Sequence, residues 1–527
     1  MVSNLVILTA KGLIPPEKGW IRLEIQLKDL NFIRDEEGQS VMKTGFDNQK
    51  YLETQSKNIR ERISSFEGKL YLEFGGKLFD DFHASRVLPG FEPDSKLQML
   101  MQLSDQAEII IAISAQDIEE NKMRGDLQIP YDEDVLRLIR EFQNKGLYVS
   151  SVVITHYNGQ KSASRLKRKL ARQNIRTYHH YYIEGYPNDT QKIISEQGFG
   201  KNDFVETTRP LVVVTAPGPG SGKMATCLSQ LYHENKRGIK AGYAKFETFP
   251  IWSIPLNHPV NIAYEAATAD LNDKNMIDPY HMDAYGEVAV NYNRDIEIFP
   301  VLKNMFEEIS GSSPYQSPTD MGVNMAGFCI SDDEACQQAS KQEIIRRYFD
   351  TRTRVMKEES PAEELRIQEA LMKKAGIKPE DRPCVKAARE KEAARKVFCG
   401  AIEMDDGTII TSATTDFMGP CAGLVMNAAK YLADVDDEVH LIRPEAFKPI
   451  QTLKTEYLKA SNPRLHTDEV LIALSLSAEQ NDEARQTLEQ LKNLNGLQAH
   501  VTCALSPVDQ NAFNLLGIHV TCEAEKR

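Results

Sequence analysis

Through the first half of the chain, short apolar runs alternate with longer stretches in which apolar residues recur every three or four positions. The short runs are typical of strands buried on both faces, and the longer stretches are typical of amphipathic helices. The predicted strands are 70–74, 108–114, 148–155, 177–183 and 210–215. The predicted helices are 47–66, 132–145, 162–173 and 223–235. This alternation predicts an α/β fold with a parallel, helix-covered sheet.

The pattern changes twice in the second half of the chain. Between residues 240 and 330, polar and aromatic residues crowd together with few periodic helices, as in loops around a site. A charged helical middle segment then runs from 331 to 396, and the capping-box pattern Ser331-Asp332-Asp333-Glu334 opens it. Its predicted breaks are at Pro361, Gly376 and Pro383.

The C-terminal part is predicted to be a smaller α/β domain. Asp406-Gly407 stands between the apolar runs 401–404 and 408–412, which predicts a hairpin with a tight primed turn. The further predicted elements are the helices 420–432 and 478–494 and the strands 439–442, 470–476, 499–505 and 518–522. The predicted organisation is an N-terminal extension 1–41, an α/β domain 42–330, a helical connector 331–396 and a C-terminal α/β domain 397–527. Met42, where the clear periodicity begins, is the predicted natural start.

Composition narrows the class of protein. Apolar residues make up 41% and charged residues 26% of the 527 residues, as in ordinary globular proteins. The net charge of −13 argues against nucleic acid or an anionic membrane as a partner. No apolar run approaches the roughly 20 residues of a membrane-spanning helix, and the N-terminus lacks the regions of a signal peptide. The eight cysteines are widely spaced, as in reduced proteins, so the sequence predicts a cytoplasmic location.

The most specific chemical signal lies in residues 211–223, where an apolar strand enters a glycine-rich turn that ends in Gly222-Lys223 and a helix. Glycines let backbone N–H groups approach an anion closely, and the helix and Lys223 add positive charge. The pattern predicts a P-loop-like turn that binds the phosphates of ATP or another nucleoside triphosphate. The predicted cofactor-binding residues are Gly218, Gly220, Ser221, Gly222, Lys223 and Thr226.

Two positions depart from the usual form of this motif. Pro217 stands where the first glycine is usual, and Met224 replaces the Ser or Thr that binds magnesium. Mg²⁺ therefore stays a candidate cofactor without an assigned ligand, and the choice between ATP and GTP stays open. The alternative is an ordinary turn between a buried strand and a helix, with Lys223 in solvent.

Polar and titratable residues are dense between positions 245 and 295, after the turn. Carboxylates could act as general bases or hold a metal, and Lys or Arg could neutralise a transferring phosphoryl group. Of these residues, Lys245, Glu265 and Arg294 are predicted to be catalytic. The full set is Lys245, Glu247, His258, Asn261, Tyr264, Glu265, Asp270, Asp278, His281, Tyr285, Glu287, Asn291, Asn293, Arg294 and Asp295. The alternative is a hydrogen-bonded loop network without chemistry.

Two further loops follow predicted strands, at the edge where open α/β sheets place ligands. One contains Gly75-Gly76-Lys77, and the other contains Arg124-Gly125-Asp126. The polar residues beyond the first loop are Asp80, Asp81, His83 and Arg86. Ordinary surface turns are the alternative in both places.

The glycine-rich turn is similar to the P-loops of formyltetrahydrofolate synthetase and dethiobiotin synthetase-type ligases, in which the first position of the motif varies. The similarity covers the turn alone. It implies ATP-dependent phosphorylation of a carboxylate or a similar group, but Met224 leaves the metal-bound half of the comparison without a residue.

Several separate segments together resemble a bacterial conserved family, domain of unknown function eighteen forty-six or uncharacterised protein family three-seven-one. They are Tyr71–Lys77, Val212–Cys227, Asn291–Asp295, Pro314–Gly327 and Asn462–His466. The resemblance runs from about Met42 to the C-terminus. It implies a bacterial cytosolic protein with a larger N-terminal α/β portion, a helical middle and a smaller C-terminal α/β portion, and it transfers no catalytic residue.

The leading hypothesis from the sequence is a nucleotide-dependent ligase or kinase-like enzyme that acts on a small metabolite. A nucleotide- or phosphometabolite-binding regulatory or assembly protein without turnover is the alternative, and a structural protein without a ligand is a third class. The helical connector and the apolar C-terminal segments would suit a homo-oligomer.

Overall fold

The computed structural model describes residues 32–34, 40–42, 44–76, 78–79, 81–124 and 129–523. The contacts within the chain divide it into two compact units, which we call the unit 44–344 and the unit 345–527. The described residues before 44 belong to the second unit. The boundary between the two units, at residues 344 and 345, falls within the helix Asp333–Met356. The predicted extension 1–41 lies mostly outside the described residues. The three predicted boundaries between the four segments stay predictions.

The strands, labelled β1 to β16 in chain order, are Phe32–Arg34, Ser40–Met42, Leu70–Phe74, Ala107–Ser114, Met123–Arg124, Ile129–Pro130, Tyr148–Tyr157, Arg176–Tyr181, Leu211–Thr215, Gly242–Phe246, Asn275–Ile277, Val290–Tyr292, Cys399–Glu403, Ile409–Ala413, Gln498–Val501 and His519–Cys522. The α-helices, labelled α1 to α20, are Asn48–Ser65, Phe82–Val87, Ser95–Met101, Ala115–Glu119, Tyr131–Asn144, Lys161–Ala171, Thr190–Ile193, Lys223–Lys236, Pro259–Ala267, Pro279–Tyr285, Asn293–Ser310, Pro318–Met321, Asp333–Met356, Ala362–Lys374, Pro383–Arg395, Pro420–Leu432, Pro444–Thr452, Thr467–Ser477, Asp482–Glu489 and Pro507–Leu515.

A six-stranded parallel sheet forms the centre of the unit 44–344, in the order β10-β3-β9-β4-β7-β8. The sheet confirms the α/β class and the parallel N-terminal sheet predicted from the sequence. The chain runs outward from β3 through β4, β7 and β8, and then returns to insert β9 between β3 and β4. The carboxyl ends of β3, β9 and β10 therefore meet at one edge, where open α/β sheets bind ligands.

The burial of the strands explains this arrangement. Every residue of β3, β4, β9 and β10 is buried, as expected for strands covered by helices on both faces. On one face, Tyr71, Val212 and Tyr243 belong to a hydrophobic core that contains Leu228 of α8 and Phe299 of α11. The packing of α8 against this face fixes its first turn at the carboxyl edge of the sheet.

The unit 345–527 has a smaller mixed sheet in the order β14-β13-β15-β16. The β13 strand pairs antiparallel with β14 and β15, whereas β15 and β16 are parallel. The helices α16, α18 and α19 supply buried apolar residues to the cores of this unit, including Leu424, Leu474 and Ala484. The predicted smaller α/β domain is thus confirmed in its class.

The hairpin between β13 and β14 is present, but the predicted primed turn is wrong. The Gly407 N–H donates to the Met404 carbonyl at 2.9 Å, and the Met404 N–H donates to the Thr408 carbonyl at 2.9 Å. Gly407 has a φ of +79°, whereas Asp406 is not left-handed. A primed turn of this kind needs a positive φ at both central residues, so the loop is a three-residue connection that ends in a left-handed glycine.

Two predicted C-terminal strands are also wrong. Residues 470–476 lie in the helix α18, and residues 439–442 form no strand. In α18 the side chains of Val470 and Leu474 are buried, but Ile472 and Leu476 are exposed. Apolar residues therefore surround this helix, and such a continuous apolar run cannot be told from a buried strand by its periodicity.

The predicted helical middle segment has the expected breaks but a different beginning. Asp332 accepts a hydrogen bond from the Ala335 N–H at 3.0 Å, so Asp332 rather than Ser331 caps α13. The helix α14 follows Pro361 and ends before Gly376, which has a φ of +68°, and α15 begins at Pro383. Within the described residues, no helix has both the length and the apolar character needed to cross a bilayer.

The central sheet should be sensitive to the loss of buried volume. Ile110 in β4 is fully buried in the core, whereas Ile239 is 42% exposed in the same unit. Ile110→Ala is expected to lower the free energy of unfolding by about 2–5 kcal/mol, because a buried cavity replaces the side chain. Ile239→Ala is the matched control and should change it by less than about 0.5 kcal/mol. Urea unfolding measures both, and equal losses in the two variants would contradict the assigned core.

Candidate functional site

A cavity of about 850 Å³ opens at the carboxyl edge of the six-stranded sheet. Residues that end or follow β3, β9 and β10 line it, together with residues of α9, β12 and α11. Its volume lies in the range of about 300–1,000 Å³ that small-molecule sites occupy. The charged lining residues are Glu73, Arg124, Lys223, Lys245, Glu247, Asp270, Asp273, Arg294 and Asp295.

The P-loop-like turn forms one wall of this cavity. Residues 215–220 line it with Lys223 and Met224, and α8 begins at Lys223. The N–H groups of Gly218, Gly220 and Lys223 donate to no acceptor within the described part of the chain. Prolines at 217 and 219 carry no N–H group at all. The wall thus offers unpaired amide donors and the positive end of a helix, the arrangement that binds anions.

Lys223 differs from the other cations of the cavity. Arg124 pairs with Asp134 at 2.9 Å, Lys245 pairs with Asp295, and Arg294 pairs with Asp273 at 2.5 Å. Within the residues that the structure describes, Lys223 has no carboxylate partner. Its ammonium therefore remains available to an anionic ligand beside the unpaired amides.

Neighbouring side chains fix the shape of the turn. Thr155 at the end of β7 donates its hydroxyl to the Ser221 carbonyl at 2.8 Å, and it packs against Gly222, which has a φ of +81°. A side chain at Gly218 would overlap the hydroxyl of Tyr131. Glycine is thus required at 218 by a close approach and at 222 by the left-handed backbone.

The hydroxyls predicted to contact a cofactor are used inside the turn. Ser221 donates to the Gly218 carbonyl at 2.9 Å, and Thr226 donates to the Gly222 carbonyl at 2.9 Å. Both side chains are fully buried, and neither residue lines the cavity. Their placement supports a role in shaping the turn.

The opposite wall carries a cluster around Lys245 of β10. The Lys245 ammonium donates to Asp295 Oδ1 at 2.8 Å and Oδ2 at 2.7 Å, and it also contacts the Tyr292 hydroxyl. Tyr292 in turn donates to Glu247 Oε2 at 2.9 Å, and Glu247 Oε1 lies 3.2 Å from the ammonium. Lys245 and Asp295 are more than nine-tenths buried. The cluster therefore holds Glu247 in a fixed position at the cavity.

The environment of Glu247 changes its acidity. Burial raises its pKa from 4.5 to about 7, and the negative charges of Asp295 and Glu73 act in the same direction. Lys245 and the Tyr292 hydrogen bond oppose this shift. A carboxyl group with a pKa near 7 can take up or release a proton at neutral pH, as a general base or acid must. Glu247 is thus the most suitable proton-transfer group in the cavity.

The other predicted catalytic residues are placed differently. Arg294 lines the cavity with half of its side chain exposed, next to its partner Asp273. Glu265 does not line the cavity. Its carboxylate accepts a hydrogen bond from the Asn275 N–H at 2.8 Å and so connects α9 to β11. The structure therefore brings Lys245 and Arg294 to the cavity but not Glu265.

The polar and titratable residues predicted between positions 245 and 295 also divide into those that line the cavity and those that do not. The members that line the cavity are Lys245, Glu247, Tyr264, Asp270, Arg294 and Asp295. The members that do not line the cavity are His258, Asn261, Glu265, Asp278, His281, Tyr285, Glu287, Asn291 and Asn293. Several of the latter have structural partners: His258 pairs with Asp333 at 2.9 Å, and Asp278 caps α10.

Some residues of the two further predicted loops line the cavity, and others lie elsewhere. Gly75, Gly76 and Arg124 line the cavity, whereas Asp81 caps α2 and pairs with Lys96 at 2.7 Å. His83 and Arg86 both face Glu343. Predicted residues outside the described part of the chain are Lys77, Asp80, Gly125 and Asp126.

The cavity residues that were not predicted from the sequence include Glu73, Tyr131, Asp273 and Tyr292. Glu73 lies inside a buried strand, so its only sequence signal is a single charge in an apolar run. No three His, Cys, Asp or Glu side chains of the described residues are grouped so that they could hold a metal ion.

Comparison with known proteins identifies relatives along almost the whole chain. The model described as "Domain of unknown function DUF1846, N-terminal" matches residues 44–376, and the corresponding C-terminal model matches residues 380–526. The UPF0371 protein of Corynebacterium diphtheriae is 56% identical over 483 residues, which cover 91% of this chain and 97% of that protein. The UPF0371 protein of Streptococcus pneumoniae is 54% identical over 479 residues, with the same coverage of 91% and 97%.

The acidity of Glu247 predicts a dependence of stability on pH. The folded chain favours the neutral carboxyl group, so the wild type should lose stability as the pH rises from about 4.5 to about 7. Glu247→Gln removes this loss. Its melting temperature relative to wild type should rise by a few degrees between about pH 5 and pH 8.

Glu61→Gln is the matched control, because Glu61 is exposed on α1. Its melting curve should follow that of the wild type at both pH values. A Glu247→Gln curve that also stays parallel to the wild type would show that Glu247 ionises normally in the folded chain.

Proposed function

This chain belongs to the bacterial DUF1846 family, and we propose that it is a nucleotide-dependent enzyme, ligase or kinase-like, that acts on a small metabolite. The site is the cavity at the carboxyl edge of the six-stranded sheet. The observation that carries this proposal is the wall formed by the unpaired N–H groups of Gly218, Gly220 and Lys223 beside the free Lys223 ammonium.

The turn binds the phosphates of ATP or another nucleoside triphosphate. Backbone N–H groups that already lack an acceptor lose no internal hydrogen bond when phosphate oxygens approach them. Hydrogen bonds to charged groups contribute about 1.5–3 kcal/mol each, so the amides and Lys223 together can hold a polyphosphate. The lining residues Leu78, Phe79 and Leu138 offer an apolar surface for the rest of the nucleotide.

The cluster on the opposite wall acts on the second substrate. Glu247 takes the proton from a nucleophilic group of that substrate as the group attacks the terminal phosphorus, and the bond from that phosphorus to the bridging oxygen breaks to release the nucleoside diphosphate. Lys245 is a positioning residue, because Asp295 and Tyr292 engage its ammonium and Tyr292 in turn holds Glu247. The exposed half of Arg294 neutralises charge that develops on the transferring group.

Nucleotide binding tests the turn directly. Isothermal titration with ATP and with GTP, each with Mg²⁺, compares the wild type with Lys223→Met. The loss of one charged hydrogen bond should weaken binding about 10- to 100-fold. Lys57→Met is the matched control, because Lys57 is exposed on α1, and it should bind as the wild type does. If neither nucleotide binds the wild type at millimolar concentration, the proposed phosphate site is wrong.

Turnover separates an enzyme from a binding protein. ATP consumption is measured with Mg²⁺ while small carboxylates, amines and alcohols are added one at a time. One class should stimulate consumption, and Glu247→Gln should then lower kcat by about 100- to 10,000-fold with nucleotide affinity unchanged. Glu61→Gln is the control. Tight nucleotide binding without stimulation by any class would instead support a regulatory protein without turnover.

A further inference from the structure

We propose that Glu73 is the protein ligand of a divalent cation, Mg²⁺, that binds together with the nucleotide phosphates. This inference rests on the proposed function. The Glu73 carboxylate would replace the hydroxyl that the usual phosphate-binding motif carries at the position of Met224.

The position of Glu73 in the sheet supports this role. Glu73 is the fourth residue of β3 and stands in register with Val214 of β9. Val214 itself lies two residues before the turn, which begins at Ala216. On its other side it stands in register with Lys245 of β10. Neighbouring strands lie about 4.8 Å apart, so the carboxylate stands between the phosphate wall and the Lys245 cluster.

The Glu73 carboxylate makes few direct contacts, although its charge acts on the neighbouring Lys245. The Glu73 side chain is 7% exposed, and the residue lines the cavity. Oε2 accepts a hydrogen bond from the neutral Tyr243 hydroxyl at 2.7 Å, whereas Oε1 accepts none within the described part of the chain. No cationic side chain of the described residues forms an ion pair with Glu73. Burying a carboxylate without a direct ion pair is unfavourable, and a cation delivered with the ligand would offset this cost.

Other candidate ligands at this position are occupied or chemically unsuitable. Asp295 and Glu247 already bind Lys245 and Tyr292. Met224 offers only a soft thioether, whereas Mg²⁺ prefers hard oxygen ligands. Among the described carboxylates of the cavity, Glu73 is thus a buried one that lacks both an ion pair and a second hydrogen bond, whereas Asp270 is exposed.

Mg²⁺ does not need a second protein ligand at this site. Magnesium usually keeps several waters and binds one or two carboxylates together with phosphate oxygens. A single carboxylate beside a phosphate-binding turn meets this requirement. It also fits the finding that no three potential metal ligands are grouped among the described residues.

Nucleotide binding with and without metal tests the assignment. Isothermal titration with ATP, in Mg²⁺ and in EDTA, compares the wild type with Glu73→Gln, Glu73→Asp and the exposed control Glu61→Gln. Glutamine still accepts the Tyr243 hydrogen bond, so the fold should be retained, and thermal melting checks this. The wild type and Glu61→Gln should bind ATP at least about tenfold more tightly in Mg²⁺ than in EDTA. Glu73→Gln should bind with the same affinity in both, and Glu73→Asp should recover part of the difference.

Mn²⁺ provides a second measurement that does not depend on turnover. The electron paramagnetic resonance spectrum of Mn²⁺ with ATP should change when the wild type is added and should change less with Glu73→Gln. A metal-dependent affinity in Glu73→Gln equal to that of the wild type would overturn the assignment, and so would a wild-type affinity that ignores the metal. Both results leave the phosphate site intact. If ATP fails to bind under either condition, the proposed function fails together with the inference.

Discussion

Backbone N–H groups in the interior of a protein need acceptors, and the turn between β9 and α8 leaves several of its own without one. This constraint arises because β9 lies at the centre of a parallel sheet and α8 packs back onto that sheet. The connecting residues must then turn sharply at the carboxyl edge, where they line the cavity. Thr155, Ser221 and Thr226 stabilise this shape through the carbonyl groups of the turn, so the donors remain unpaired.

The charges of the cavity are arranged around that wall. Most cations there already have a carboxylate partner, as Lys245 has in Asp295 and Arg294 has in Asp273. Lys223 and Glu73 form no ion pair within the described residues, and both line the cavity. A cation and a buried carboxylate without ion pairs in the same cavity match a ligand that carries both negative groups and a bound cation. The complex of magnesium with a nucleoside triphosphate has this composition.

Membership of the family relates this chain to similar proteins but assigns no reaction to it. The relatives cover nearly the whole chain at more than half identity, so the chain matches proteins of similar length in other bacteria. The site described here lies wholly within the unit 44–344. The smaller sheet of the unit 345–527 has its own cores, and its apolar helix α18 exposes Ile472 and Leu476.

The sequence by itself determined the local elements of the N-terminal unit, including the run from β9 through the turn into α8. Periodicity and glycine placement act over a few residues, so a single chain segment contains the whole signal. The same reasoning failed for α18, where apolar residues on all sides erase the helical period. Only the tertiary structure decided that Glu73 and Glu247 face the cavity while Glu265 supports β11. Those positions depend on the order of strands in the sheet, and that order is set by packing between residues far apart in the chain, which no local pattern records.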